Sequence, residues 1–210
     1  MALATYDYPR PAVTVDLVAF RVADGQLELQ LIRRSEAPYR DAWALPGAFV
    51  HEREPLRATA ARVLSAKSAL AGIHLEQLAT FGDDPKRDPR GHIISVAYLA
   101  ILNERASDQG RGEWFAPDAL PKLAFDHRQI IDTAVERLRN EIRHTRISLA
   151  FMPATFTMTA LQNTWEAVLG EPLDKRNFRK SMRQHDWLVD TGKKSTGGAH
   201  PPAALYRVRA

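Results

Sequence analysis

The chain contains no cysteine. This excludes a disulfide framework and any zinc site built on thiolates. Its seven histidines show no HxH or HxxxH spacing, so no zinc is expected from imidazoles either. Long apolar runs are missing. The longest, such as Val96 to Leu102, falls far short of the roughly 20 residues a membrane-spanning helix needs. Met1 to Pro11 lacks the apolar core of a secretion signal. No internal repeat or low-complexity tract occurs. These absences set the expectation of a soluble cytoplasmic protein with no membrane partner, no resident metal and no cofactor.

With 210 residues, of which 45% are apolar, the chain can build a packed core as one large or two small domains. Charge is unevenly placed. The net charge is +4, and the residues beyond 150 hold nine basic and five acidic side chains. The first 150 residues are therefore balanced and the last 60 carry the whole surplus. Such asymmetry points to a nucleic-acid module, although a solvated basic surface produces the same count.

In chain order, AVTVDLVAFRV after Pro11 alternates apolar residues and is rich in β-branched ones, as a strand does. Ala23-Asp24-Gly25 has hairpin-turn chemistry, and Gln26 to Ile32 alternates again. Ile73 to Phe81, His92 to Leu102 and Glu113 to Phe115 read as further strands. The loop GDDPKRDPRG (Gly82 to Gly91) is broken by prolines. Asp126 opens a long helix at capping-box spacing from Gln129, with an apolar stripe through Ile131, Ala134, Val135, Leu138 and Ile142. That stripe suits a dimer interface or packing on a sheet. Pro153 blocks any helical continuation, so Arg146 to Thr157 is the expected junction between two domains, residues 1–150 and 151–210.

Trp43 to Leu70 (WALPGAFVHEREPLRATAARVLSAKSAL) reads as a strand end, a Pro-Gly loop and a helix with Leu56, Ala60, Val63, Leu64 and Leu70 on its apolar stripe. This stretch resembles the Nudix signature in one frame. Ala48 stands at the first glycine, Glu54 matches the glutamate and Arg62 the arginine, while Val63, Ala66 and Lys67 fall at the metal-binding glutamates and Ala69 at the last glycine. The flanking WALPGAFV and RDPRGHIISVAYLA are similar to the branch of that family that handles ADP-ribose. Hard divalent cations need several oxygen ligands, and valine, alanine and lysine supply none. The resemblance therefore implies a Nudix fold that has lost hydrolysis, with no catalytic residue. Arg62 has two roles open to it, an effector contact or an ion pair with Glu54. Trp43 is expected in the core. Asp83, Asp84 and Asp88 read as a charged turn, with a metal site as the competing reading. Lys67 either sits on a solvated helix face or replaces the metal as the neutraliser of a pyrophosphate.

The last 60 residues hold a second pattern. Thr159 and Gln162 have capping-box spacing, and Leu161, Trp165, Val168 and Leu169 give the helix one apolar face before Gly170 stops it. Asp174 is a good N-cap for a second helix to about His185. On that helix Phe178 and Met182 are i, i+4 and face inward. Trp187 to Asp190 reads as a strand, Thr191 to His200 as a loop and Ala204 to Val208 as a return strand. Helix, basic helix and hairpin in this order describe a winged helix-turn-helix, whose second helix enters the major groove. LDKRNFRKSM, WLVDTGKK and ALYRV resemble the C-terminal domain of the Nudix-related transcriptional regulators, which repress genes of NAD biosynthesis. The competing reading is a protein-interaction domain with an incidentally basic helix.

The expected fold is thus an α/β (α+β) Nudix-type sandwich with a C-terminal winged helix. The resemblance implies a repressor that binds double-stranded DNA at a palindromic operator as a homodimer and senses ADP-ribose, NAD or a related nucleotide. The DNA-binding candidates are Lys175, Arg176, Asn177, Arg179, Lys180, Arg183, Lys193 and Lys194. The effector-binding candidates are Arg33, Arg34, Glu54, Arg62, Lys67, Arg90 and His92. The alternative is an active pyrophosphohydrolase that draws metal ligands from Glu52, Glu54 and the Asp83/Asp84 loop.

Overall fold

The structure is a computed structural model, and residues 8–64, 73–103, 112–195 and 201–209 are described. Strand β1 (Ala12–Ala23) turns through Asp24 and Gly25 into β2 (Gln26–Arg33). Both turn residues have positive φ, 49° and 74°, as the two-residue Asp-Gly turn requires. Short β3 (Trp43–Ala44) and β4 (Gly47–Phe49) lead into helix α1, described over Leu56–Leu64. The rest of the expected helix, from Ser65 to Leu70, lies outside the described residues. Next come β5 (His74–Phe81), β6 (Ile93–Ile101) and β7 (Glu113–Phe115). The sheet runs β3-β2-β1-β6-β5, with β4 also on β1 and β7 on β2. At its centre β1 and β6 pair in parallel, from Ala12 opposite Ile93 to Phe20 opposite Ile101.

The two faces of β1 serve different cores. Val15, Leu17 and Ala19 pack with Ala60 of α1 and with Val96, Tyr98 and Ala100 of β6. Val18 and Phe20 face the other way, towards α2 (His127–Glu141). Helix α2 buries Ile131, Ala134, Leu138 and, just past its end, Ile142 completely. The apolar stripe therefore packs on the sheet and is not available to a partner chain. At roughly 1.5–3 kcal/mol for each fully buried side chain of this size, that face holds the helix in place.

The expected junction is itself structured. It contains a 3-10 helix (Arg146–Phe151) that buries Ile147, Leu149 and Phe151, and then β8 (Phe156–Thr157). Helix α3 (Met158–Leu169) follows, then α4 (Lys175–Gln184), β9 (Leu188–Lys194) and β10 (Ala204–Val208). The last sheet is ordered β8-β10-β9. Leu161 and Trp165 of α3 and Phe178 and Met182 of α4 join the core cluster that contains Val18, Phe20 and Leu138. The winged module and the larger sheet thus share one continuous apolar core.

Three local expectations are corrected. Thr157, not Thr159, caps α3: its hydroxyl accepts from Ala160 N at 3.1 Å, and Gln162 instead donates to Glu166 and to the carbonyl of Leu173. Asp126 precedes α2 without capping it, because Arg87 takes its carboxylate. Strand β9 runs on to Lys194, past the expected loop start at Thr191, and the tip, residues 196–200, lies outside the described residues. Gly170 ends α3 at φ 73°, as expected. Among the described residues no helix is long and apolar enough to cross a membrane.

Candidate functional site

The face of β1 that meets α2 is apolar at Val18 and Phe20 but polar at Thr14 and Asp16. Below those two residues a cleft of about 110 Å³ opens, lined also by Arg34, Gly47, Phe49, Arg87, Arg90, Phe125 and His127. Asp16 is 7% exposed. Its Oδ2 accepts a 2.5 Å hydrogen bond from the Ser95 hydroxyl. Its Oδ1 lies 3.7 Å from His127 Nε2. Gly47 is needed beside it, since a Cβ there would sit 2.2 Å from Oδ1.

His127 opens α2 with its ring inside the cleft. The backbone N–H of Leu45 donates to Nδ1 at 2.9 Å, so Nδ1 carries a lone pair and the ring proton is on Nε2. Burial pushes the His127 pKa down and outweighs the pull of Asp16, leaving the ring neutral.

Cations surround the mouth. Arg87 grips Asp126 with two hydrogen bonds of 2.7 and 2.5 Å. Burial works against the Arg87 charge, and the Asp126 bonds more than compensate. Arg90 holds Asp88 at 3.0 and 2.6 Å. Burial would raise the Asp88 pKa, yet Arg90 brings it below the usual carboxylate range. Arg34 differs: it donates to the carbonyls of Pro38 and Glu36 and lies 4.8 Å over the Phe125 ring. Among the described residues it has no ion pair. Burial and neighbouring Arg90 lower its pKa. The guanidinium of Arg90 lies 5.1 Å from the ring centre of Phe49 and 5.2 Å from that of Phe125. The mouth therefore offers positive charge and two aromatic faces, of which Phe49 is 42% exposed.

Of the seven effector candidates, the structure brings Arg34 and Arg90 into the cleft. Glu54 and Arg62 stand beside it, paired at 2.9 and 2.8 Å, and Arg62 also donates to the Phe49 carbonyl, bracing the loop that carries Phe49. The bond to Arg62 holds the Glu54 carboxyl well below its ordinary pKa. Arg33 is turned away, over Trp43, which packs against Phe115 in the core. His92 is exposed outside the cleft, and Lys67 lies outside the described residues with Ala66 and Ala69. Sequence reasoning missed Asp16, Arg87, Phe125 and His127, and it placed Asp88 in a charged turn. The one visible signal was an aspartate in the middle of an apolar strand.

The metal implied by the Nudix resemblance does not fit the described side chains. Both Glu54 oxygens are taken by Arg62, and Val63 offers no ligand. Asp84 caps the N–H of Lys86, and Asp88 is bound to Arg90. Among the described residues no three of histidine, aspartate and glutamate gather as a metal site, so Glu52, Glu54 and the Asp83/Asp84 loop do not form one.

The second surface is α4. Asp174 caps it by accepting from Asn177 N at 2.8 Å. Phe178 and Met182 are buried, Phe178 edge-on to Trp165 at 5.4 Å. This orients Lys175, Arg176, Asn177, Arg179, Lys180 and Arg183 outward, all exposed. Arg176, Asn177, Arg179, Lys180 and Arg183 line one shallow groove. Lys193 and Lys194 are exposed on β9. Among the described residues none of these seven cations has an acidic partner, whereas Arg21, Arg62, Arg87, Arg90, Arg128 and Arg137 all do.

A family model of the NUDIX domain matches residues 10–134, and a model of the NrtR DNA-binding winged helix domain matches residues 148–208. The chain is 40% identical over 210 residues to the ADPR responsive transcriptional repressor NtrR of Acinetobacter baylyi, spanning 96% of this chain and 83% of that protein. It is 35% identical over 128 residues to the ADP-ribose pyrophosphatase of Methanocaldococcus jannaschii, spanning 59% and 73%. Among solved structures, Shewanella oneidensis NrtR complexed with a 27mer DNA superposes with a TM-score of 0.83 at 34% identity, over 94% of this chain and 93% of that one. The NUDIX domain of the same protein complexed with ADP ribose superposes at 0.53 and 35% identity, over 63% and 94%.

Proposed function

Because the chain belongs to the family that joins a NUDIX domain to an NrtR DNA-binding winged helix domain, we propose that it is an ADP-ribose-responsive transcriptional repressor. In this reading residues 1–150 sense the effector and residues 151–210 bind DNA, and the protein works in the cytoplasm as a homodimer on a two-fold operator. The observation that carries it is the face of α4, where five cations and an asparagine stand exposed without an acidic partner among the described residues. Surface cations left unpaired along one helix suit a polyanion, because neutralising phosphates releases condensed counterions and supplies affinity. On that face Lys180 reaches base edges, while Arg176, Arg183, Lys193 and Lys194 meet phosphates.

The effector occupies the cleft. Arg34, which has no ion pair among the described residues, and Arg90 neutralise its phosphates, and Phe49 and Phe125 offer faces for a base or sugar. Glu54 and Arg62 support the loop rather than perform chemistry. The protein is therefore a sensor without turnover: ADP-ribose binds without divalent metal and leaves intact. Helix α2 links the two sites. His127 at its start lines the cleft, and towards its end Arg139 donates to the Val168 carbonyl of α3 at 3.1 Å. Just beyond α2, Arg143 pairs with Glu171 at 2.6 Å. The experiment is fluorescence anisotropy with promoter duplexes from the neighbourhood of the gene, titrated with ADP-ribose. Specific, salt-dependent binding that ADP-ribose reverses supports the reading. Duplex binding indifferent to ADP-ribose, or AMP release at enzymatic rates, defeats it.

A further inference from the structure

We infer that Asp16 and His127 together read a sugar hydroxyl, making them the specificity-determining pair at the bottom of the cleft. The inference rests on the reading of the cleft as the effector site. Asp16 lies in the centre of β1, more than nine-tenths buried. A carboxylate taken out of water normally has its lone pairs filled by hydrogen bonds or by a cation. Here only Oδ2 is filled, by Ser95. Among the described residues Oδ1 has no hydrogen-bond donor. Gly47 keeps the space beside it clear.

Facing Oδ1 is a donor that is also unfilled among the described residues. Leu45 occupies His127 Nδ1, which fixes the proton on Nε2, and Nε2 stands 3.7 Å from Oδ1. That distance is too long for a direct hydrogen bond. An oxygen about 2.8 Å from each atom would see them at an angle of about 80°, which a hydroxyl tolerates. The pair asks for a group that gives a hydrogen bond to the carboxylate and accepts one from the imidazole. A hydroxyl does both. A phosphate oxygen only accepts and is repelled by Asp16, and an ammonium only donates and leaves Nε2–H unmet. Arg34 and Arg90 at the mouth set the direction: the ligand enters hydroxyl first, with its phosphates outward.

The test is calorimetry on the full chain in EDTA, with ADP-ribose, ADP, and a set of deoxy-ADP-riboses each lacking one ribose hydroxyl. On the wild type, one deoxy analogue should bind roughly 10- to 100-fold more weakly than ADP-ribose, the scale of a hydrogen bond to a charged group. Which analogue suffers, together with the result for ADP, tells the terminal ribose from the adenosine ribose. Asp16→Asn should bind ADP-ribose more weakly by a similar factor and no longer distinguish it from that analogue, whose own affinity changes little. The analogue series needs no variant, so a misfolded Asp16→Asn leaves it decisive. Equal affinity of the wild type for every deoxy analogue overturns the inference, as does an Asp16→Asn protein that still discriminates. Wild type that binds no ADP-ribose at all overturns the effector reading and this inference with it.

Discussion

Replacing Arg176 and Arg183 together by alanine removes two of the seven cations on α4 and β9 that have no acidic partner among the described residues. Both side chains are exposed and touch no acidic partner among the described residues, so stability should change by no more than about 0.5 kcal/mol for each. DNA binding should change in a characteristic way. Each phosphate neutralised contributes about 0.9 to the slope of log affinity against log salt, so losing two lowers the slope by about 1.8 for each winged helix engaged. Raising salt fourfold, from about 50 to about 200 mM, should then shrink the deficit of the variant by about 12-fold for each module, because the wild type loses the contacts that the variant never made. Anisotropy titrations at four or five salt concentrations measure this. Arg128→Ala is the control: Arg128 already pairs with Asp132 at 2.9 Å on α2, away from α4, and its loss should leave the slope unchanged. A double variant with the wild-type slope would refute the assignment of α4 as the DNA-facing helix.

Phe178→Ala should cost about 3–5 kcal/mol by emptying the space against Trp165, measured by urea unfolding, with DNA binding lost as α4 comes loose. Stability should fall as pH drops below about 6.5, because unfolded His127 takes a proton that the buried ring refuses. The contribution is present above that value and lost on acidification, and His127→Gln should flatten the trend between about pH 7.5 and 5.5, above the range where Asp88 and Glu54 titrate. Arg139→Met should keep both ADP-ribose binding and DNA binding but weaken the effect of one on the other, since it cuts the hydrogen bond from α2 to the end of α3. An unchanged response would remove α2 as the link.

Local chemistry was legible wherever the cause lay within a few residues. Asp24-Gly25 set the hairpin, Gly170 the end of α3, and Asp174 the start of α4. The i, i+4 spacing of Phe178 and Met182 oriented the basic face. Tertiary pairings were not legible. GDDPKRDPRG read as a charged, proline-broken loop, yet Arg87 is buried because Asp126, 39 residues on, receives it. That same pairing took Asp126 away from its capping role. Thr159 had the better motif, but β8 pairs with β10 and brings the chain into α3 two residues earlier, at Thr157. Asp16 looked like one polar position in a strand, and only the approach of Ser95 and His127 from distant elements gives it a purpose.

The central claim is that one chain senses a nucleotide without cleaving it and answers through DNA. The most direct measurement is an anisotropy titration of ADP-ribose into the preformed protein–operator complex in EDTA, with the nucleotide recovered and quantified afterwards. The account predicts full release of DNA without divalent metal and intact ADP-ribose at the end. DNA that stays bound, release that needs added magnesium or manganese, or recovery of AMP in place of ADP-ribose would contradict it.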